Sequence, residues 1–359
     1  MEDLSKYAVF NEMTQLPKVV DASGSKHYMI ERIVGELMSV YGVSEVYYIG
    51  CGSSYYAALG GVMPLLRSSL NMKALAQPAS EFLFYYADLI GKSIRGGKSL
   101  AVFFSRSGET KEVLLALDES RRRGAKTIGF TCSKGSYLDR NADYSIVVEE
   151  CFEEGVYMTK SFAALHLLGI LTSIAMLRLN NIDVNFDLDK ELYLLKEALA
   201  NVSSSINALG DIAAKTISKK AFAILAQGNL YPVALEASLK FKEISYTFSE
   251  AIHALEFRHG HNALLERREE LQLIVLSLSE DPSHEKTVRL HRELIARGFN
   301  ALLLSNDSAA DYFIPWSGGA YLAPIAYILP LYYIAFLRSL LLGYNPDKPL
   351  HISRVVLSI

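Results

Sequence analysis

The strongest constraint in the sequence is an internal repeat. In the first copy, the run Val46-Tyr47-Tyr48-Ile49 leads into Gly50-Cys51-Gly52-Ser53-Ser54, and Leu100-Ala101-Val102-Phe103-Phe104 leads into a second polar turn. A helical stretch then reaches Gly124, followed by Thr127-Ile128-Gly129-Phe130-Thr131. The second copy restates this path with Phe222-Ala223-Ile224-Leu225-Ala226 before Gln227-Gly228-Asn229, then Gln272 to Ser279, then a helix to Gly298 and Ala301 to Asn306. Short, continuous apolar runs bounded by polar residues are strands buried on both faces. Strands alternating with helices build a parallel, doubly wound α/β sheet. Two copies of the pattern predict two such sheets in tandem.

At 359 residues with 50% hydrophobic content, the chain can fill two cores. The boundaries read as an N-terminal helical arm over 1–40, a first domain over 41–182, a helical connector over 183–215, a second domain over 216–343 and a tail over 344–359. The connector lacks the Pro/Gly/Ser bias of a flexible linker. A net charge of −3 argues against a general nucleic-acid binder. Three cysteines, without CxxC spacing, suit a reducing cytoplasm better than a disulfide framework or a zinc site. The start, Met1-Glu2-Asp3-Leu4-Ser5-Lys6, has neither the basic start nor the apolar core of a signal peptide. The apolar stretches Phe162 to Leu177 and Gly319 to Leu342 read as buried helices or an oligomer interface rather than membrane spans; the second contains Pro324 and Pro330.

The first copy's second turn, Ser105-Arg106-Ser107-Gly108-Glu109-Thr110, sits between a strand and the helical run from Lys111. Unpaired backbone N–H groups and the positive dipole end at a helix start favour an anion. The hydroxyls of Ser105, Ser107 and Thr110 complete a phosphate cradle, and Gly108 lets the backbone come close. A plain Ser/Thr helix cap is the alternative, but one cap needs one hydroxyl. Ser53 and Ser54 lie on the same carboxyl-end rim, where open α/β sheets bind ligands. Gly50-Cys51-Gly52 invites a dinucleotide reading, which fails because Tyr55 stands where the third glycine belongs. In the second copy the cradle has become Leu-Ser-Glu-Asp-Pro-Ser, whose two acids repel phosphate.

The densest chemistry lies in Tyr231 to Tyr246. Pro232 fits a first helical turn. Lys240 and Glu243, three apart, share a helix face. Fully exposed, they make an ion pair of little consequence; half buried, Glu243 becomes a candidate general base tuned by the lysine.

Ser-Arg-Ser-Gly-Glu-Thr after an apolar strand resembles the phosphosugar-binding signature of the sugar isomerase (SIS) domain family. Tyr231 to Tyr246 resembles the second-half helix of the isomerase portion of the family's aminotransferases, and Ala79-Ser80-Glu81-Phe82, Gly155-Val156, Thr159-Lys160-Ser161-Phe162 and Glu256-Phe257-Arg258-His259-Gly260 continue the match. The resemblance implies two doubly wound, flavodoxin-like SIS domains in tandem. It implies that Glu243 is the base for a 1,2-proton shift, that Lys240 is its neighbour and that His259 opens the sugar ring from an adjoining subunit, hence a homodimer. Ser53, Ser54, Ser105, Arg106, Ser107, Thr110, Val156 and Ser353 become substrate-binding positions. The family's glutaminase portion has no counterpart in the sequence.

Two departures stand out: His261 replaces a proline, and Arg354 replaces the lysine that forms a Schiff base with the ketose. Arginine stays protonated and cannot be that nucleophile, though its charge can stabilise an enediolate. Arg106 replaces a glutamine and offers phosphate a bidentate fork. The expectation is a cytoplasmic phosphosugar isomerase acting on a hexose or hexosamine 6-phosphate, most directly as a deaminase that converts glucosamine 6-phosphate to fructose 6-phosphate and ammonia. A fructosamine-6-phosphate deglycase, an aldose–ketose isomerase and a non-catalytic phosphosugar sensor are the alternatives. No metal or organic cofactor, nucleic acid or membrane is expected; His253, Glu256, His259 and His261 match no standard zinc spacing.

Overall fold

Both copies of the repeat build a five-stranded, all-parallel sheet. A computed structural model describes residues 3–92 and 98–358; Met1, Glu2 and Ile359, at the ends of the expected arm and tail, lie outside it. The first sheet comprises β1 (Val43–Gly50), β2 (Lys73–Pro78), β3 (Lys98–Phe104), β4 (Lys126–Thr131) and β5 (Tyr144–Val147), ordered β2-β1-β3-β4-β5. The second comprises β6 (Ala221–Ala226), β7 (Phe248–His253), β8 (Leu271–Ser277), β9 (Ala301–Ser305) and β10 (Tyr312–Phe313), ordered β10-β9-β8-β6-β7. Read from its other edge the second order is the same 2-1-3-4-5, the flavodoxin-like arrangement.

Helices α1 (Ala8–Thr14), α2 (Leu16–Gly24) and α3 (His27–Ser39) precede the first sheet. With that sheet go α4 (Ser53–Leu66), α5 (Ala79–Glu81), α6 (Lys111–Arg122), α7 (Tyr137–Asn141) and α8 (Lys160–Leu179). Helices α9 (Leu188–Ser204) and α10 (Ile206–Lys215) lead to the second sheet and its helices α11 (Tyr231–Ser245), α12 (His284–Ala296) and α13 (Ala323–Leu341). The chain divides into two compact units that do not follow sequence order. One holds 18–154, 158–187 and 353–359; the other holds 1–17, 155–157 and 188–352. The arm is therefore divided at Pro17, and the last residues of the tail belong with the first sheet.

Burial on both faces explains the unbroken apolar strands: every residue from Leu100 to Phe104 is buried. One core of the first unit gathers Tyr47, Ile49, Phe82, Phe103 and Leu117. Its counterpart in the second unit gathers Leu225, Phe257, Leu273, Val275 and Leu303. The two long apolar helices, α8 and α13, are mostly buried inside the fold, which accounts for their composition without a membrane.

Where α4 crosses α8, glycines bring the backbones together. A Cβ on Gly61 would stand 2.8 Å from the Gly169 Cα, and a Cβ on Gly60 would run into the His166 ring. Ser173 Oγ seals the contact by donating to the Gly61 carbonyl at 2.7 Å. His166 pays for this closeness with solvation: it is fully buried and neither ring nitrogen has a partner.

One expectation is corrected. Cys132 and Cys151 form a disulfide, leaving only Cys51 as a free thiol. Parallel pairing of β4 with β5 brings the ends of these strands together. The two Cα atoms then lie 5.5 Å apart, within bonding reach, although 19 residues separate them in the chain.

Burial pushes the His166 imidazole down to about 3. Between that value and the ordinary 6.5, the unfolded chain takes up a proton that the folded chain refuses. This contribution to stability is complete above about pH 6.5 and falls by about 1.4 kcal/mol per pH unit below it. Chemical denaturation from about pH 7 to pH 4 should show that slope, and His166→Leu should flatten it; an unchanged slope in the variant would assign the acid sensitivity elsewhere.

Candidate active site

In the first unit, the turns after β1 and β3 flank the point where the sheet order reverses. The β1 turn passes through Gly52, whose φ is positive at 52°, and opens α4 with the buried Ser53 and Ser54. Ser54 Oγ lies 3.6 Å from the Met158 sulfur. In the β3 turn, Ser105 Oγ accepts the Gly108 N–H at 3.1 Å and lies 3.4 Å from Thr110 Oγ1. Ser107 Oγ accepts the Glu109 N–H at 3.1 Å. Gly108 is sterically obligatory: its φ is 65°, and a Cβ would meet Ser136. Thr110 precedes α6 in extended conformation yet makes no side-chain cap bond. The Lys111 N–H donates to the Val356 carbonyl of the tail at 3.1 Å.

Arg106 is buried, and its fork is engaged within the unit. One arm donates to Glu153 Oε2 at 3.3 Å, the other to the Arg354 carbonyl at 2.7 Å. Glu153, wholly buried, also accepts the N–H groups of Thr159 (2.6 Å) and Ser161 (3.0 Å) and the Ser161 hydroxyl (2.6 Å). It thereby caps the start of α8. Arg354 is exposed, its guanidinium 5.5 Å from the Phe152 ring centre, and the exposed Ser353 donates to the Val355 carbonyl.

In the second unit, α11 carries a buried charge cluster. Lys240 is 1% exposed and donates to Glu243 Oε2 at 2.6 Å; Glu236 Oε1, fully buried, is 3.3 Å from the same nitrogen. Tyr332 on α13 donates to Glu236 Oε1 at 3.0 Å. Burial opposes the lysine's charge, but the two carboxylates outweigh it and raise the ammonium above its ordinary range. Glu243 keeps 20% of its side-chain exposure, so one end of the cluster opens outward.

Val156 belongs to the same unit. Glu12 on α1 accepts the N–H of its neighbour Gly155 at 2.7 Å. The Tyr157 hydroxyl is pushed up by burial and by the charges of Tyr246, Glu243 and Asp347. His259 ends a short 3₁₀ turn after β7 and is exposed. Among the described residues no group of three or more His, Cys, Asp or Glu side chains is placed to hold a metal ion.

Glu236, Tyr332 and Glu153 were not singled out from the sequence. The four-residue spacing of Glu236 to Lys240 on one helix was a usable signal; the other two reach their partners only through tertiary packing.

A hydroxyl-rich turn at a sheet's switch point and a buried charge cluster on a helix, in a duplicated doubly wound α/β fold, define a class of tandem-sheet proteins with a candidate ligand rim. The chain belongs to the SIS domain family, whose model matches residues 40–174 and 216–311. It is 33% identical over 319 residues to a glutamine–fructose-6-phosphate aminotransferase (isomerizing) of Bacillus spizizenii, covering 87% of this chain and 51% of that protein. The chain thus spans about half the length of the curated relatives it matches. Among solved structures, the C-terminal domain of the Francisella tularensis glucosamine–fructose-6-phosphate aminotransferase has the same fold, with a TM-score of 0.83 at 21% identity, covering 97% of this chain and 100% of that one. Glucosamine-6-phosphate deaminase of Thermotoga maritima matches with a TM-score of 0.68 at 29% identity, covering 96% of this chain and 99% of that one.

Lys240→Met would leave two carboxylates, one wholly buried, without their cation. It should cost about 3 kcal/mol in chemical denaturation. Adding Glu236→Gln should return part of that loss, because the buried charge goes with it; strictly additive losses would mean the two side chains are not coupled.

Proposed function

We propose that the chain is an enzyme that deaminates a hexosamine 6-phosphate, most directly glucosamine 6-phosphate, to fructose 6-phosphate and ammonia. The single observation that carries this reading is the α11 cluster, in which a buried lysine orients Glu243 and only the glutamate reaches solvent. A carboxylate so held is preorganised to move a proton. The hydroxyl turn of Ser105, Ser107 and Thr110, with Ser53 and Ser54, takes the phosphate. Val156 and Ser353 line the sugar, and Arg106 acts by holding the turn.

His259 protonates the ring oxygen to free the aldehyde. Glu243 removes the proton from C2, giving an enolamine, and returns it to C1. The resulting ketimine takes up water at C2 and releases ammonia, leaving the ketose. Arg354 supplies positive charge beside the enolamine oxygen. Because arginine forms no Schiff base, this route needs no covalent adduct with the chain. The 29% identity to a glucosamine-6-phosphate deaminase supports this chemistry. A cytoplasmic setting goes with it, since sugar phosphates are intracellular metabolites.

Ammonia release from glucosamine 6-phosphate should be measurable, and Glu243→Gln should reduce it by about 10³-fold with KM little changed. Wild-type silence with every hexosamine phosphate would overturn the reading. Turnover of aldose phosphates without an amine would replace it with aldose–ketose isomerisation.

We further assign His259 to the neighbouring subunit's site in a homodimer. Glu243→Gln and His259→Ala chains, each inactive, should regain about a quarter of wild-type activity when dissociated and reassembled as equal mixtures, since half the dimers are then hybrids with one intact site. No recovery would place His259 in its own subunit's site.

A further inference from the structure

The disulfide is the covalent member of a closed ring that surrounds Arg106. On one side, Cys132 follows β4 and its N–H donates to the Arg106 carbonyl at 3.1 Å. Thr131 Oγ1 and Ser133 Oγ, flanking it, donate to the same carbonyl at 3.1 and 3.3 Å. On the other side, Cys151 closes the short turn Glu149–Cys151, and Glu153 lies two residues on. Glu153 takes the Arg106 guanidinium and caps α8. The path runs from Cys132 to Arg106, to Glu153, to Cys151 and back through the sulfur bridge. Both cysteines are buried, at 2% and 0% exposure, so the bond belongs to the interior of the anion turn rather than to its surface.

We propose that the Cys132–Cys151 bond is a redox latch on the anion-binding turn, closed when oxidised and loosened by a dithiol reductant that reaches the buried sulfurs during local opening of the turn. Reduction breaks the sulfur–sulfur bond and gives two thiols; the dithiol supplies two electrons and two protons and becomes a disulfide itself. Without the sulfur bridge the Glu149–Glu153 segment keeps its backbone tie to β4, where the Val148 N–H donates to the Thr131 carbonyl at 3.0 Å, but holds Glu153 less firmly. Arg106 then has a looser hold on Glu153, one of the two partners of its guanidinium, while the Arg354 carbonyl keeps the other arm and its own carbonyl stays tied to β4. The hydroxyl turn gives up its preorganisation, and an anion must order it on binding. Because the sulfurs and the α11 cluster belong to different units, the effect falls on ligand affinity and not on the proton transfer.

The consequence for phosphosugar affinity rests on the function proposed above; the latch itself does not. Denatured, unreduced protein should titrate one thiol per chain, that of Cys51, and reduced protein three. Three thiols before reduction would overturn the proposal. Deuterium uptake at the amides of 105–110 and 159–161 should quicken on reduction, and equal uptake in the two states would also overturn it. In calorimetric titration with glucosamine 6-phosphate, the dissociation constant should rise by about tenfold on reduction with kcat held within about twofold. A kcat loss at constant affinity would refute the latch. Cys132→Ser/Cys151→Ser should behave as reduced wild type and ignore reductant; since reduction of the native chain gives the same comparison, an unfolded variant does not blunt the test. If neither state binds glucosamine 6-phosphate, the phosphosugar reading fails, while thiol titration and amide exchange still decide the latch.

Discussion

Each unit is organised around a charge that the fold has removed from water. Glu153 in the first and Lys240 in the second are almost wholly buried. A charge in that setting must be fully partnered, because an unpaired ion in a low dielectric costs several kcal/mol. Glu153 meets the demand with the Arg106 fork and with the N–H groups and hydroxyls of Thr159 and Ser161. Lys240 meets it with Glu236 and Glu243. The partners are thereby fixed to within hydrogen-bond tolerance, which is the precision a ligand turn and a proton-transferring carboxylate require.

The same requirement changes how Arg106 is to be understood. From the sequence it is a fork pointed at phosphate. In the fold its guanidinium joins Glu153 to the tail's Arg354 carbonyl, so its charge is already matched inside the unit. An anion bound at this turn would then be held by hydroxyls and backbone geometry more than by net positive charge. Gly108 matters as much as any polar side chain there, since neither its φ nor the gap to Ser136 tolerates a Cβ.

The repeat, both sheets and the strand–turn–helix setting of Ser105–Thr110 were legible because burial on two faces leaves an unambiguous apolar run. Lys240 and Glu243 were legible as neighbours because helix periodicity is local. Their burial was not, since it depends on α13 packing across the same face of α11. Likewise, nothing near Cys132 in the chain announces Cys151, and spacing alone placed both among free thiols. Nor do local patterns reveal that Lys18 begins a different unit from Pro17, or that Ser353 to Ser358 belong with the first sheet. What periodicity cannot carry is long-range pairing.

The duplication explains why one copy could acquire the charged cluster. In each unit, the helix after the sheet's first strand packs on a long apolar helix: α4 on α8, and α11 on α13. In the first unit this interface is built for closeness, with Gly60 and Gly61 against His166 and Gly169. A charge introduced there would find no partner, and His166 already remains neutral for want of one. In the second unit the interface holds Glu236, Lys240 and Tyr332, and Glu236 Oε1 takes both the lysine's charge and the tyrosine's hydroxyl. Conversely, the second copy's equivalent of the hydroxyl turn carries Glu280 and Asp281, a poor place for phosphate. Each half carries a device that the other lacks. If the hydroxyl turn holds the ligand's anion and Glu243 moves the proton, as proposed, this separation would let the first be altered without disturbing the second.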